Sequence, residues 1–248
     1  MVHAPQGLGS ASRLLGLQDG HPRRWGILHM LLQEAAQLHP VRSAEEPEDL
    51  RRTEQRVVAA MEAVWEAAGK LAEAETAARG PWGAEGLEVE AARAAGEARR
   101  ALLAQQEGDW SDTPAHVCAR HHLNGALAWL LERSDEALMM TPTKAGWLVL
   151  MTACRAANPD GAAVYLRRAS GLGLLTGGYG QVVLADLSPF NHYYADNSGR
   201  EHLDTALRQV WPYGGCPAVF EGFQDAEQLK RRVADSLAEL LGSMALAA

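Results

Sequence analysis

The chain reads as runs of apolar residues at helical spacing, separated by proline and glycine, until about residue 180, where the period changes. His21-Pro22 introduces an apolar-periodic stretch that predicts a helix over 23–38. Ser43 with Glu46 forms a capping box, in which hydroxyl and carboxylate each satisfy a free backbone N–H. A long helix over 44–79 follows, stopped by Gly80-Pro81, and a second is predicted over 84–107, stopped by Gly108. Val57, Met61, Val64, Ala68 and Leu71 alternate by four and three in the first, a coiled-coil-like seam. Leu87, Ala91, Ala94, Ala98 and Leu102 repeat similar spacing in the second. The two predict an antiparallel hairpin. Gly69 and Gly96 weaken it by about 1 kcal/mol each relative to alanine.

Thr113-Pro114 and Thr141-Pro142 each read as a helix N-cap followed by proline, predicting helices to about Leu131 and over 143–157. A short amphipathic helix over 160–170 leads into Gly171-Leu172-Gly173. Beyond it, Gln181 to Leu187 and Pro217 to Glu221 read as strands. Capping boxes at Ser198/Glu201 and Asp225/Gln228 open helices to about Trp211 and Leu241. The predicted fold is therefore mainly α with a small α/β C-terminal unit, α+β overall. An N-terminal helical hairpin or bundle precedes a βαβα unit with a parallel strand pair. In domain terms, residues 1–22 form a flexible arm, 23–135 a helical bundle carrying the hairpin, and 141–248 a mixed α/β region. No long-period repeat is legible.

Composition changes this picture little. The chain has 248 residues, 47% hydrophobic and 22% charged, with a formal net charge of −8. Arg51-Arg52, Arg167-Arg168 and Lys230-Arg231-Arg232 lie on predicted helices beside acids rather than in a basic stripe, which disfavours nucleic acid as the main partner. Cys118, Cys154 and Cys216 are odd in number and form no CxxC, as suits a reducing cytoplasm. The first twenty residues lack a signal-peptide pattern. The longest uncharged stretch, Ala169 to Ala185, is short and broken by five glycines, so no membrane span is expected. The expected location is the cytoplasm.

Candidate chemistry concentrates in the loop after the first predicted strand, Asp186 to Gly199. A polar loop at the carboxyl end of a strand is where α/β folds place ligands. His192 and Asp196 are the candidate catalytic pair. Asp186, Asn191, Tyr193, Asn197 and His202 are candidate ligand contacts, with Glu221 at the equivalent end of the second strand. Such a group could bind a small polar ligand, ligate a metal or run acid–base chemistry, and no cofactor is specified.

Four weaker constellations accompany it. Cys118 and His122, four apart on the predicted helix His116-Val-Cys-Ala-Arg-His-His122, could be two metal ligands. Gly171 to Gly180 is glycine-rich but follows a helix, so a helix C-cap and turn explain it better than a phosphate loop. Cys216 sits in a turn where a thiolate could be served by His192 or His202. Finally, Arg24-Trp25-Gly26-Ile27-Leu28-His29 resembles the Arg-x4-His signature of the HEPN-type ribonucleases. That resemblance covers six residues and implies an all-helical protein whose paired protomers cut RNA, with Arg24 and His29 at the shared cleft. Trp110, Trp129, Trp147 and Trp211 read as core anchors.

Three readings of function follow. The first is binding of, or action on, a small polar ligand at 186–202. The second is a non-catalytic interaction or adaptor protein using the 44–107 hairpin for a protein partner or self-association. The third is the ribonuclease through Arg24 and His29.

Overall fold

The computed structural model describes residues 26–38, 47–78, 84–178 and 198–213, with Gly180, Val183, Pro217 and Phe220 besides. Among these residues the chain is helical: α1 Ile27–Leu38, α2 Pro47–Ala78, α3 Ala84–Ala104, α4 Pro114–Arg120, α5 Asn124–Glu132, α6 Glu136–Met139, α7 Val149–Arg155, α8 Pro159–Gly171 and α9 Ser198–Val210. Contacts divide the chain into two compact units, Met1–Ser134 and Asp135–Ala248.

In the first unit, α2 and α3 pack antiparallel. Glu66 pairs with Arg99, while Lys70, Glu73, Ala74 and Ala77 face Leu87, Glu88, Ala91 and Ala92. Small side chains let the two backbones approach: Ala68, Ala72, Ala95 and Ala98 are all buried along this seam. The described part of α2 opens on Pro47, whose missing N–H costs nothing at a first helical position. The predicted box at Ser43 and Glu46 lies outside the described residues. Helix α1 buries Leu28, Leu32 and Ala35, spaced by four and three on one face, and packs on α2 and α4. Each leucine so buried is worth roughly 1.5–3 kcal/mol.

The predicted helix from Thr113 to Leu131 is broken in two. His122 has φ +60°, and Leu123 N–H donates to Cys118 O at 3.0 Å, six residues closing one helix end in a Schellman turn. Helix α5 then starts after Leu123, which has no side-chain oxygen to cap it. Glu54 of α2 supplies the cap instead, accepting Gly125 N–H at 3.1 Å.

In the second unit, α7, α8 and α9 pack on one another around Tyr165 and Leu166, both fully buried. The Tyr165 hydroxyl donates to Met139 O at 3.3 Å, tying α6 to this core. The helix expected over 143–157 begins only at Val149. Thr141 spends its hydroxyl on Ala137 O, and Thr143 N–H donates to Trp147 O at 2.9 Å around Gly146 at φ +80°. That turn satisfies the backbone groups a helical start would leave open. Gly173, at φ +72°, closes α8 with Leu174 N–H on Ala169 O, so this part of the glycine-rich run is a helix cap.

The expected βαβα unit with a parallel strand pair is not seen; there is no strand among the described residues. Val183, in the middle of the first predicted strand, is helical and fully buried, and Gly180 N–H donates to Thr176 O in helical register. Phe220, in the second, sits in a tight turn with its N–H on Pro217 O at 2.9 Å. A short apolar run records burial, and burial alone does not distinguish a strand from a turn of buried helix. Among the described residues no helix is long and apolar enough to cross a membrane.

One regularity spans both units. Helices α4 and α5 begin at 114 and 124; α7 and α8 begin at 149 and 159, an offset of 35 in each case. The left-handed residues His122 and Ala157 share that offset, as do the bonds Leu123 N–H to Cys118 O and Asn158 N–H to Ala153 O. So do Ser111 (φ +56°) and Gly146 (φ +80°) in the turns before each pair. Arg120 ion-pairs with Asp112, and 35 positions later Arg155 lies over Trp147, its Cζ 4.1 Å from the ring centroid. The same turn–helix–helix unit is built twice, once in each unit of the chain.

Candidate functional site

The turn that opens the first copy, Glu107 to Asp112, is the most heavily organised polar element described. Glu107 N–H donates to Asp112 O at 3.0 Å and Ser111 N–H to Glu107 O at 3.2 Å, closing the loop on itself. The Glu107 carboxylate is buried and accepts Trp110 N–H at 2.8 Å. Gln106 Nε2 donates to Ser111 O at 3.0 Å. From α4, Arg120 reaches back to the buried Asp112 carboxylate at 2.5 Å. From α1, His29 Nε2 stands 2.8 Å from Asp112 O; a carbonyl only accepts, so this nitrogen carries the proton.

Burial sets the electrostatics here. It holds His29 below the ordinary imidazole range, against the opposing pull of its bond to Asp112 O and the Glu107 charge. His29 is therefore neutral, and its Nδ1 has no hydrogen-bond partner among the described residues. Burial also pushes the Asp112 carboxyl up, partly offset by Arg120, with Glu107 adding to the rise. His121 is lowered by burial and by the neighbouring Arg120 and His122 charges.

Thr113 starts α4 as the Thr113-Pro114 signal suggested; the reciprocal role of His116, whose imidazole completes the capping box, was not expected. Thr113 N–H donates to His116 Nδ1 at 3.2 Å, and the Thr113 hydroxyl lies 2.8 Å from the same nitrogen. Nδ1 is thus an acceptor and the proton sits on Nε2. His116 is fully buried and committed to the cap.

No known protein family, curated protein or solved structure matches the chain.

Among the expected site residues, His202 is described: it lies on α9, half-buried. Asp186, Asn191, His192, Tyr193, Asp196 and Asn197 lie outside the described residues, as do Arg24, Cys216 and Glu221. His29 is described and fully buried, its donor nitrogen spent on a backbone carbonyl. Cys118 and His122 do not share a helix face, because α4 ends at Arg120 and His122 is left-handed. Burial holds the Cys118 thiol well above the ordinary range, so it is not a thiolate at neutral pH. Among the described residues no three His, Cys, Asp or Glu side chains are grouped to hold a metal ion.

Trp110 is the residue that sequence reasoning misplaced. Trp129 is buried, whereas Trp110 is 57% exposed at the tip of the turn. The warning in the sequence was Gly108-Asp109 before it and Ser111-Asp112 after it, turn formers on both sides of an aromatic. The arrangement is a hydrogen-bonded turn that leaves the Trp110 indole more than half exposed.

Proposed function

We propose that this chain is a non-catalytic interaction protein whose working element is the duplicated turn–helix–helix unit. The single observation that carries this reading is the offset of 35 residues shared by helix starts, left-handed residues, helix-closing bonds and the back-reaching arginine. In element order, in period and in the Thr113-Pro114-Ala115-His116 opening of its first copy, the unit resembles the ankyrin type of repeat, a turn and two helices over about 33 residues. Repeats of this kind keep a common frame and bind other proteins through residues the frame leaves variable.

The test is reconstitution. The full chain is used to capture proteins from its host extract, and each captured protein is purified and titrated calorimetrically against the chain. A saturable one-to-one complex is the expected result. Native mass spectrometry showing a bound small molecule, with no protein complex formed by any captured candidate, would overturn the reading.

A further inference from the structure

The two copies differ at their ends. Helix α5 stops at Glu132, which matches Arg167 at the offset of 35, whereas α8 continues to Gly171. The added turn reads Arg168-Ala169-Ser170-Gly171 and follows the exposed Arg167. Ser170 is exposed and its neighbour Ala169 is fully buried, so the serine faces away from the core. In the first copy its match is Asp135, whose carboxylate accepts Leu138 N–H at 2.9 Å and caps α6. Leu138 in turn matches Gly173, whose N–H donates instead to Ser170 O at 3.1 Å and closes α8. One copy thus carries a permanent negative charge where the other carries a hydroxyl, and the helix runs on only where that charge is missing.

Three features make this hydroxyl a phosphoryl acceptor. Arginines three and two residues before a serine are the charge pattern by which one class of serine kinase selects substrates. The first of them, Arg167, is exposed and lies one helical turn before Ser170, within reach of a phosphate on it. A kinase takes its substrate extended, and Ser170 sits in the terminal turn of α8, ahead of Gly171 and of Gly173 at φ +72°, where opening costs least. Phosphoserine carries a charge of about −1.5 to −2, and at a helix C-terminus it opposes the negative end of the dipole. It would act against the last turn of α8 while offering Gly173 N–H an acceptor of the kind that Asp135 offers Leu138.

We propose that Ser170 is a phosphorylation site for an arginine-directed serine kinase, and that the phosphate ends α8 early, giving the second copy the helix end of the first. The γ-phosphorus of a nucleoside triphosphate bonds to Ser170 Oγ as its bond to the β-phosphate oxygen breaks. The nucleoside diphosphate leaves, and the hydroxyl proton passes to the kinase's base. The site uses the duplicated frame but needs no partner, so it goes beyond the interaction reading.

The full chain is incubated with ATP and the catalytic subunit of an arginine-directed serine kinase whose activity is checked on a basic peptide standard. Tandem mass spectrometry is expected to place a phosphoryl group on Ser170, and Arg167→Gln should lower kcat/KM for the transfer at least about ten-fold. Hydrogen exchange at the Leu172 and Leu174 amides, which donate to Arg168 O and Ala169 O, should quicken about five-fold or more in the phosphorylated chain. No transfer to Ser170 by a kinase active on the standard, transfer indifferent to Arg167→Gln, or unchanged exchange at both amides would each overturn the proposal. If Ser170 is phosphorylated but capture yields no partner, the interaction reading falls alone. If a partner is found and Ser170 stays unmodified, this proposal falls alone.

Discussion

Arg133 stands over the indole of Trp129, its Cζ 4.1 Å from the ring centroid, and its Nη1 donates to Trp129 O at 3.2 Å. Trp129 in turn meets Trp65 edge to face, with centroids 5.7 Å apart and planes at 82°. Arg133 also reaches Glu62 at 3.5 Å. Residues from α2 and from the end of α5 are thus fastened by one side chain whose planar head serves ring, carbonyl and carboxylate together. Arg133→Ala is expected to cost about 1–2 kcal/mol, from the lost cation–π contact and the lost bond to a partly buried carbonyl. Arg133→Lys should recover less than half of that, because an ammonium keeps the charge but not the fork. Urea unfolding followed by tryptophan fluorescence measures both; equal stability of the native chain and Arg133→Ala would show the stack to be ornamental.

The two hairpin glycines, alike in sequence, differ in structure. A Cβ at Gly96 would meet nothing within 4 Å, and its φ is not in the left-handed region, so Gly96→Ala is expected to stabilise by about 1 kcal/mol through helix propensity alone. A Cβ at Gly69 would stand 2.7 Å from the Arg99 guanidinium, which would have to leave Trp65 and Glu66. Gly69→Ala should therefore gain clearly less, or lose. Thermal unfolding of the two variants side by side reads the difference, and identical gains would mean that Arg99 moves at no cost.

What was legible in the sequence was the part governed by local rules. Spacing by three and four placed α1, α2, α3 and α8, and Thr113-Pro114 placed the start of α4, because periodicity and caps act within a few residues. The strand expected over 181–187 failed because Val183 is apolar for reasons of burial, and a run that short carries no period. The break at His122 failed because a left-handed histidine has no sequence mark of the kind glycine gives. The repeat was invisible for a related reason. Over residues 111–132 and 146–167 only Arg120/Arg155, Ala128/Ala163 and Leu131/Leu166 are identical. Backbone geometry and burial are held in common where residue identity is not. Of the expected site, His202 and His29 are described, and the loop from Asp186 to Asn197 lies outside the described residues.

The matched left-handed positions give the duplication a thermodynamic test. His122 at φ +60° and Ala157 at φ +56° each carry a Cβ into a region that costs an L-residue about 1–2 kcal/mol. Both occupy the position after the helix cap where glycine is preferred. His122→Gly and Ala157→Gly are each expected to stabilise by about 1 kcal/mol, after the added entropy of the unfolded chain is offset. Gly146→Ala, at φ +80°, should destabilise by a similar amount. Chemical denaturation of the three variants checks the set. Loss of stability in either glycine variant would show that the left-handed residue is held by its side chain and that the two helix ends are not equivalent.

His29 makes stability depend on pH with a definite sign. Burial holds its folded pKa below 6.5, so between that folded value and 6.5 the unfolded chain binds more protons than the folded one. Its contribution is complete above about 6.5 and is lost as the pH falls from there through the folded pKa. His121, lowered by burial and neighbouring charge, adds in the same direction. Asp112 acts oppositely and lower on the scale: its raised pKa means the folded state holds its proton longer, so stability is lost as the pH rises from about 3.8 through the folded value. The native chain should therefore lose stability between pH 7 and pH 5.5. His29→Gln, which keeps a donor for Asp112 O but cannot take up a proton, should lose less over the same range. Unfolding free energies measured at half-unit steps check this. Parallel curves for the two proteins would mean that His29 titrates in the folded chain as it does in the unfolded one, and that its burial against the Asp112 carbonyl is not maintained in solution.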